Sequence, residues 1–195
     1  MTRVMISRCE HPTRGAVDKL VLPDGMRRVN FRSCVGITGA VDKLVLPVGM
    51  QNLNLRECWG LTGTLATLPP PRKIFTILRT GVKIDVAAIE WPANATALIS
   101  KYDALVCRIK DPGAWTSEIC IKCNKSQVMG DIGQMILPVG MKTVNFSGTE
   151  VTGAVDKLVL PSGMQSVNFR SCGGLTGELP ASERAKVKTY YGPRD

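Results

Sequence analysis

The chain has 195 residues, 44% of them hydrophobic and 21% charged, which supplies material for a continuous core and argues against wholesale disorder. No apolar run is long enough for a membrane-spanning helix. The formal net charge of +9 suits an anionic partner, whether acidic protein, nucleic acid or lipid headgroup.

Residues 1–14 read as a partial repeat, because Met1, Val4, Ile6 and Cys9 fall in the phase of Met26, Val29, Phe31 and Cys34. No polar cap precedes them, so this end is expected to be uncapped and open to self-association. The start lacks the apolar stretch and the small-residue cleavage site of a secretory leader. An intracellular, cytoplasmic location is therefore expected. In that setting seven cysteines argue against a disulfide framework.

Two regular repeats fill residues 15–62, as Gly15–Thr38 and Gly39–Thr62, and two more fill 130–176, as Gly130–Thr152 and Gly153–Thr176. The period is 24 residues, with Gly130–Thr152 one shorter. A fixed period of this size marks units that stack on their neighbours. In each unit a first triplet alternates apolar, polar, apolar: Val29-Asn30-Phe31, Leu53-Asn54-Leu55, Val144-Asn145-Phe146 and Val167-Asn168-Phe169. Such alternation predicts a half-buried strand with the Asn facing out. A second alternation, as in Leu20-Val21-Leu22, ends at a Pro-x-Gly turn.

The stretch 63–129 repeats poorly. Ala87-Ala88-Ile89-Glu90-Trp91-Pro92 parallels Asp42-Lys43-Leu44-Val45-Leu46-Pro47, and Leu98 follows Pro92 at the distance by which Leu53 follows Pro47. Ile74, Phe75 and Ile77 read as another worn strand. About three degenerate repeats are expected, with an inserted loop or irregular subdomain as the alternative. Residues 177–195 lose the pattern, and a short helix with a basic tail is expected to cap that end.

The pattern L/M-x-x-L/V-x-L/F-x-x-C-x-x-L-T-G resembles the leucine-rich repeat family, in its cysteine-containing and plant-type variants, over residues 15–62 and 130–176. The resemblance implies a β-rich solenoid, with parallel strands on a concave face and short second strands and loops elsewhere. One spacing detail agrees with it. After Cys34 and Cys58 two residues precede the next core aliphatic, Ile37 or Leu61, whereas after Thr149 only Glu150 precedes Val151. Residue type and loop length change together, as expected if that side chain bonds the backbone of the turn.

Catalytic, metal and cofactor chemistry find little support. Cys120 and Cys123 form a C-x-x-C pair without the further ligands a zinc site needs, and the sole histidine, His11, is distant in sequence. The recurring Asp18-Lys19, Asp42-Lys43 and Asp156-Lys157 pairs read as charges on a solvated face. No catalytic residue, metal ligand or cofactor is expected. The directional signal is basic: Arg3, Arg27, Arg28, Arg32, Arg56, Lys142 and Arg170 fall on the strand-flanking positions of the concave face, beside Asn30, Asn54, Asn145 and Asn168, against one acid, Glu57. Like charges on adjacent strands repel, a cost that an anionic partner relieves. The expected function is non-catalytic protein binding, with an acidic partner on this face. The alternatives are nucleic-acid binding, or a fragment of a larger repeat array.

Overall fold

A computed structural model describes residues 2–5, 15–47, 50–65, 74–101, 103–110 and 116–194. Its strands are β1 (Thr2–Met5), β2 (Gly15–Ala16), β3 (Met26–Asn30), β4 (Ile37–Ala40), β5 (Asn52–Asn54), β6 (Gly60–Thr62), β7 (Thr64–Leu65), β8 (Ile74–Thr76) and β9 (Lys83–Asp85). They continue as β10 (Ala95–Lys101), β11 (Ala104–Lys110), β12 (Thr116–Lys122), β13 (Val128–Asp131), β14 (Thr143–Asn145), β15 (Glu150–Ala154), β16 (Ser166–Asn168), β17 (Gly174–Thr176) and β18 (Thr189–Tyr191). One short helix, α1 (Ala181–Arg184), precedes β18. Among the described residues no helix is long and apolar enough to cross a membrane.

The chain alternates between two walls. Ten strands form one sheet in the order β1-β3-β5-β8-β12-β11-β10-β14-β16-β18. Two smaller parallel sheets, β2-β4-β6 and β17-β15-β13-β9-β7, hold the intervening strands. The repeated triplets lie side by side in the large sheet: Val29 beside Leu53, Asn30 beside Asn54, Val144 beside Val167 and Asn145 beside Asn168. Side-chain alternation then sends Val29 and Phe31 into the core and leaves Asn30 half-buried on the outer face. Residues of both walls, among them Phe31, Leu55, Leu61, Val151 and Phe169, are buried in one cluster.

The expectation of a leucine-rich-repeat-like β-solenoid with parallel strands on its concave face is overturned. The ten-stranded sheet is mixed, because β10 pairs antiparallel with β11, and β11 antiparallel with β12. The reason is the length of the connection. Only positions 102 and 103 separate β10 from β11, which closes a hairpin but falls far short of a parallel crossover. Where a regular unit lays one strand, this stretch lays three, entering at β10 beside β14 and leaving from β12 beside β8. The sequence parallels still hold at their own positions, since Leu98 pairs with Val144, and Phe75 with Leu53. β11 has no counterpart in the repeat.

The smaller sheet does not widen to match, because β9 pairs directly with β13. Three strands of one wall therefore stand against a single step in the other, and bulk must fill the difference. Leu98, Leu105, Cys107, Ile109 and Ile121 are buried there. Trp91, also buried, stands where the parallel with Asp42–Pro47 would put a leucine, and its indole N–H donates to the Val86 carbonyl at 3.2 Å.

Successive units are also locked by backbone contact. Gly63 and Gly153 have φ of +94° and +105°, and a Cβ at either would strike the carboxylate of Asp42 or Asp131 in the preceding unit. Asp42, of the recurring Asp-Lys pairs, thus has a partner surface as well as solvent, while Asp131 lies two positions earlier in its own unit. Asp131 Oδ1 also accepts the Gly133 N–H at 2.8 Å. At the far end β18 extends the large sheet beyond β16, and Leu179 and Val187 are buried beneath it. Glu183 of α1 accepts the Leu160 N–H at 2.8 Å and the Lys186 ammonium at 2.6 Å, which ties the helix to the last repeat.

Candidate functional site

The outer face of the large sheet carries the basic residues, and its edge is shaped by a turn that recurs in each unit. Ser33, Glu57, Arg79 and Ser171 all adopt positive φ near +60°, and Gly148 stands in the same place at +69°. Each precedes the turn residue: Cys34, Cys58, Thr80, Cys172 and Thr149. Left-handed geometry in non-glycine residues is costly, so something must hold it. The turn side chains do so by bonding buried backbone. Cys58 Sγ donates to the Phe31 carbonyl and Cys172 Sγ to the Phe146 carbonyl, each at 2.9 Å and each reaching into the preceding unit. Thr149 and Thr80 instead donate within their own unit, to Phe146 at 2.6 Å and Ile77 at 2.7 Å. A hydroxyl reaches less far than a thiol, which accounts for the shorter loop after threonine.

This turn gathers charge across three neighbouring units. Glu57 lies between Ser33 and Arg79 in the lateral order of the turns that follow β3, β5 and β8. Its carboxylate accepts the Ser33 hydroxyl at 2.9 Å, Arg56 Nε at 3.1 Å and Arg79 Nη1 at 3.3 Å. Arg32 Nε stands 3.7 Å away. The Ser33 hydroxyl and then the Arg56 guanidinium hold the Glu57 carboxyl below its ordinary 4.5. The carboxylate is 17% exposed, against 53%, 35% and 57% for the side chains of Arg32, Arg56 and Arg79. The guanidiniums therefore lie outside it, facing solvent.

The other expected residues divide into two groups. Arg27 and Arg28 are exposed on β3, and Arg3 of β1 falls beside Arg28 in register. These adjoin the cluster. Lys142 and Arg170 do not: six strand spacings, about 29 Å, separate β16 from β5 along the sheet. The hairpin β10–β11 supplies two of those spacings. The basic residues expected from the sequence thus fall into two groups along the sheet. Arg170 stacks on the Tyr191 ring, 4.7 Å from its centroid.

Asn30, Asn54, Asn145 and Asn168 spend their carbonyl oxygens on their own turns, accepting the N–H of Arg32, Arg56, Ser147 and Arg170 at 3.0–3.1 Å. They order the arginine-bearing loops and leave only their amide nitrogens to a partner. Sequence reasoning missed Arg79. The signal was present: Thr80-Gly81-Val82 repeats the short spacing of Thr149-Glu150-Val151 and puts Arg79 in the phase of Glu57. It also missed the exposed Lys101, Arg108 and Lys122 of the inserted strands, of which Arg108 pairs with Glu118 at 3.0 Å.

Cys120 and Cys123 do not converge. Cys120 lies on the outer face in the row of Val106, while Cys123 is buried in the core cluster, so strand alternation sends them to opposite sides. Burial pushes the Cys107 and Cys123 thiols up to about 12, far from the free thiolate that disulfide exchange requires. Among the described residues no group of three His, Cys, Asp or Glu side chains stands ready for a metal ion.

The same carboxylates set an expected pH response. Lys186, then the Leu160 N–H, hold Glu183 below its usual value, as Ser33 and Arg56 hold Glu57. A depressed folded-state value contributes stability that is present above the unfolded value, about 4.3, and is lost as pH falls through the folded one. Thermal midpoints should therefore drop below about pH 4, and the drop should be shallower in Glu183→Gln. An identical acid limb in that variant would remove Glu183 from this role.

No protein-family model, no curated protein and no solved structure matches this chain.

Proposed function

We propose that the protein is a non-catalytic binding module whose outer sheet face, centred on Arg32, Arg56 and Arg79, engages an acidic surface of a partner protein. The observation that carries this reading is the gathering of three guanidiniums around one recessed carboxylate, beside Arg27 and Arg28. Folding has placed like charges together on neighbouring units and supplied a single acid to offset them. Such a surface is costly by itself and favourable against negative charge. The likeness of the unit sequence to leucine-rich repeats agrees with a binding role but names no partner.

A glutamate-rich peptide serves as the probe. Reversing charge in Arg32→Glu, Arg56→Glu and Arg79→Glu together is expected to weaken its binding by about tenfold or more at low salt, with melting curves run beside it because the change also removes the cations that offset Glu57. Arg170→Glu, in the distant group, should change binding less. Equal affinity in the triple variant would count against this face. Nucleic-acid binding, the second reading, predicts affinity for single strands that falls steeply with salt. It is less favoured, because Trp59 and Tyr191 are the only strongly exposed aromatic side chains among the described residues, too sparse for a row of stacked bases.

A further inference from the structure

The cluster has a stoichiometry and a shape that narrow the kind of acidic group it fits. Three arginines and one glutamate leave a local excess of two positive charges. A carboxylate carries one negative charge, whereas a phosphate monoester carries about −1.5 to −2 near neutral pH and offers three acceptor oxygens. Glu57 meets Arg32 and Arg56 through Nε. Among the described residues no other side chain engages their two terminal nitrogens, so the outer fork of each guanidinium remains open. Arg79 meets Glu57 through Nη1, which leaves Nη2 open. Glu57 thus acts as a recessed counter-ion shared by three more exposed guanidiniums, whose remaining nitrogens are left to solvent or an incoming anion. Three guanidiniums held within reach of one another can share the three oxygens and double charge of a phosphate, whereas a carboxylate offers two oxygens and one charge.

Resting on the reading above, we propose that the Arg32–Arg56–Arg79 cluster is the seat of a phosphorylated side chain on the partner protein. Arg27 and Arg28 lie alongside for acidic residues that flank the modification.

The test uses the full chain and three fluorescent Gly/Ser peptides that differ at one place, carrying phosphoserine, two adjacent glutamates, or unmodified serine. The phosphoserine peptide is expected to bind about tenfold more tightly than the diglutamate peptide at equal ionic strength. Arg56→Lys with Arg79→Lys keeps the charge and removes two forks, and should reduce that preference to about twofold while diglutamate binding changes little. Melting curves of the variant establish that it is folded. Should the diglutamate peptide bind as tightly as the phosphopeptide, or the preference survive in the lysine variant, the phosphate assignment falls and the acidic-partner reading stands. If neither charged peptide binds better than the serine peptide, both fall.

Discussion

Gln127→Ala is expected to lose about 3–5 kcal/mol of stability in urea unfolding, the largest effect of any polar substitution here. Gln127 is 3% exposed, and its amide nitrogen donates to the Ile77 and Val82 carbonyls at 2.9 Å and to the Thr80 carbonyl at 3.2 Å. All three acceptors belong to the preceding unit. Its Oε1 accepts the Asn124 N–H at 2.8 Å, which closes the turn the side chain springs from. Ile77 stands in the phase of Phe31 and Phe146, whose carbonyls are met by Cys58 and Cys172. Gln127 therefore serves at its boundary as the buried donor that cysteine serves as elsewhere. Truncation takes this donor from the Val82 and Thr80 carbonyls in an apolar interior, at roughly 1–3 kcal/mol each, while the Ile77 carbonyl keeps the Thr80 hydroxyl. Gln127→Glu should be no better than Gln127→Ala, because a carboxylate would face carbonyl oxygens and bring a buried charge. Wild-type stability in Gln127→Ala would show that water replaces the amide and that the boundary does not depend on it.

The second large effect is expected at Trp91. Trp91→Ala should cost about 3–5 kcal/mol and Trp91→Leu a smaller but measurable part of that. The comparison with leucine is the informative one. Leu160 occupies the equivalent place in a regular unit and is buried there. If the antiparallel hairpin widens the interior next to Trp91, leucine at position 91 leaves a void that it does not leave at 160. Full stability of Trp91→Leu in denaturant unfolding would mean that the interior is no wider here than in a regular unit. The indole bond to Val86 adds a polar component, since its loss strands a carbonyl that the structure otherwise satisfies.

The legible and illegible parts of this molecule separate along one line. The Val-Asn-Phe alternation places the same residues inward in every copy, and the copies pair in that register. The link between turn residue and loop length is also a local matter, and it holds at Thr80 in a unit whose sequence has otherwise drifted. The direction of β11 is different. An alternating segment such as Ala104–Lys110 exposes and buries the same residues whether its neighbour runs parallel or antiparallel, so period two cannot distinguish them. The two-position connection after Lys101 is the usable sign, because it is too short for a parallel crossover. Gln127 gave no warning either, because it follows no cysteine phase and announces itself only through the carbonyls it meets.

The candidate site shows the same division. That arginines flank the strands follows from their positions in the repeat. That Arg32, Arg56 and Arg79 share Glu57, while Arg170 lies across the sheet in another group, follows only from which strands became neighbours.

By itself the sequence determined where strands and turns occur and which side chains face inward, because these depend on backbone preferences and burial patterns spanning a few residues. The order of strands, the mixed sheet and the grouping of charges were decided by the tertiary structure alone. They depend on contacts between residues far apart in the chain, where a short connection between β10 and β11 outweighs the repeat on either side.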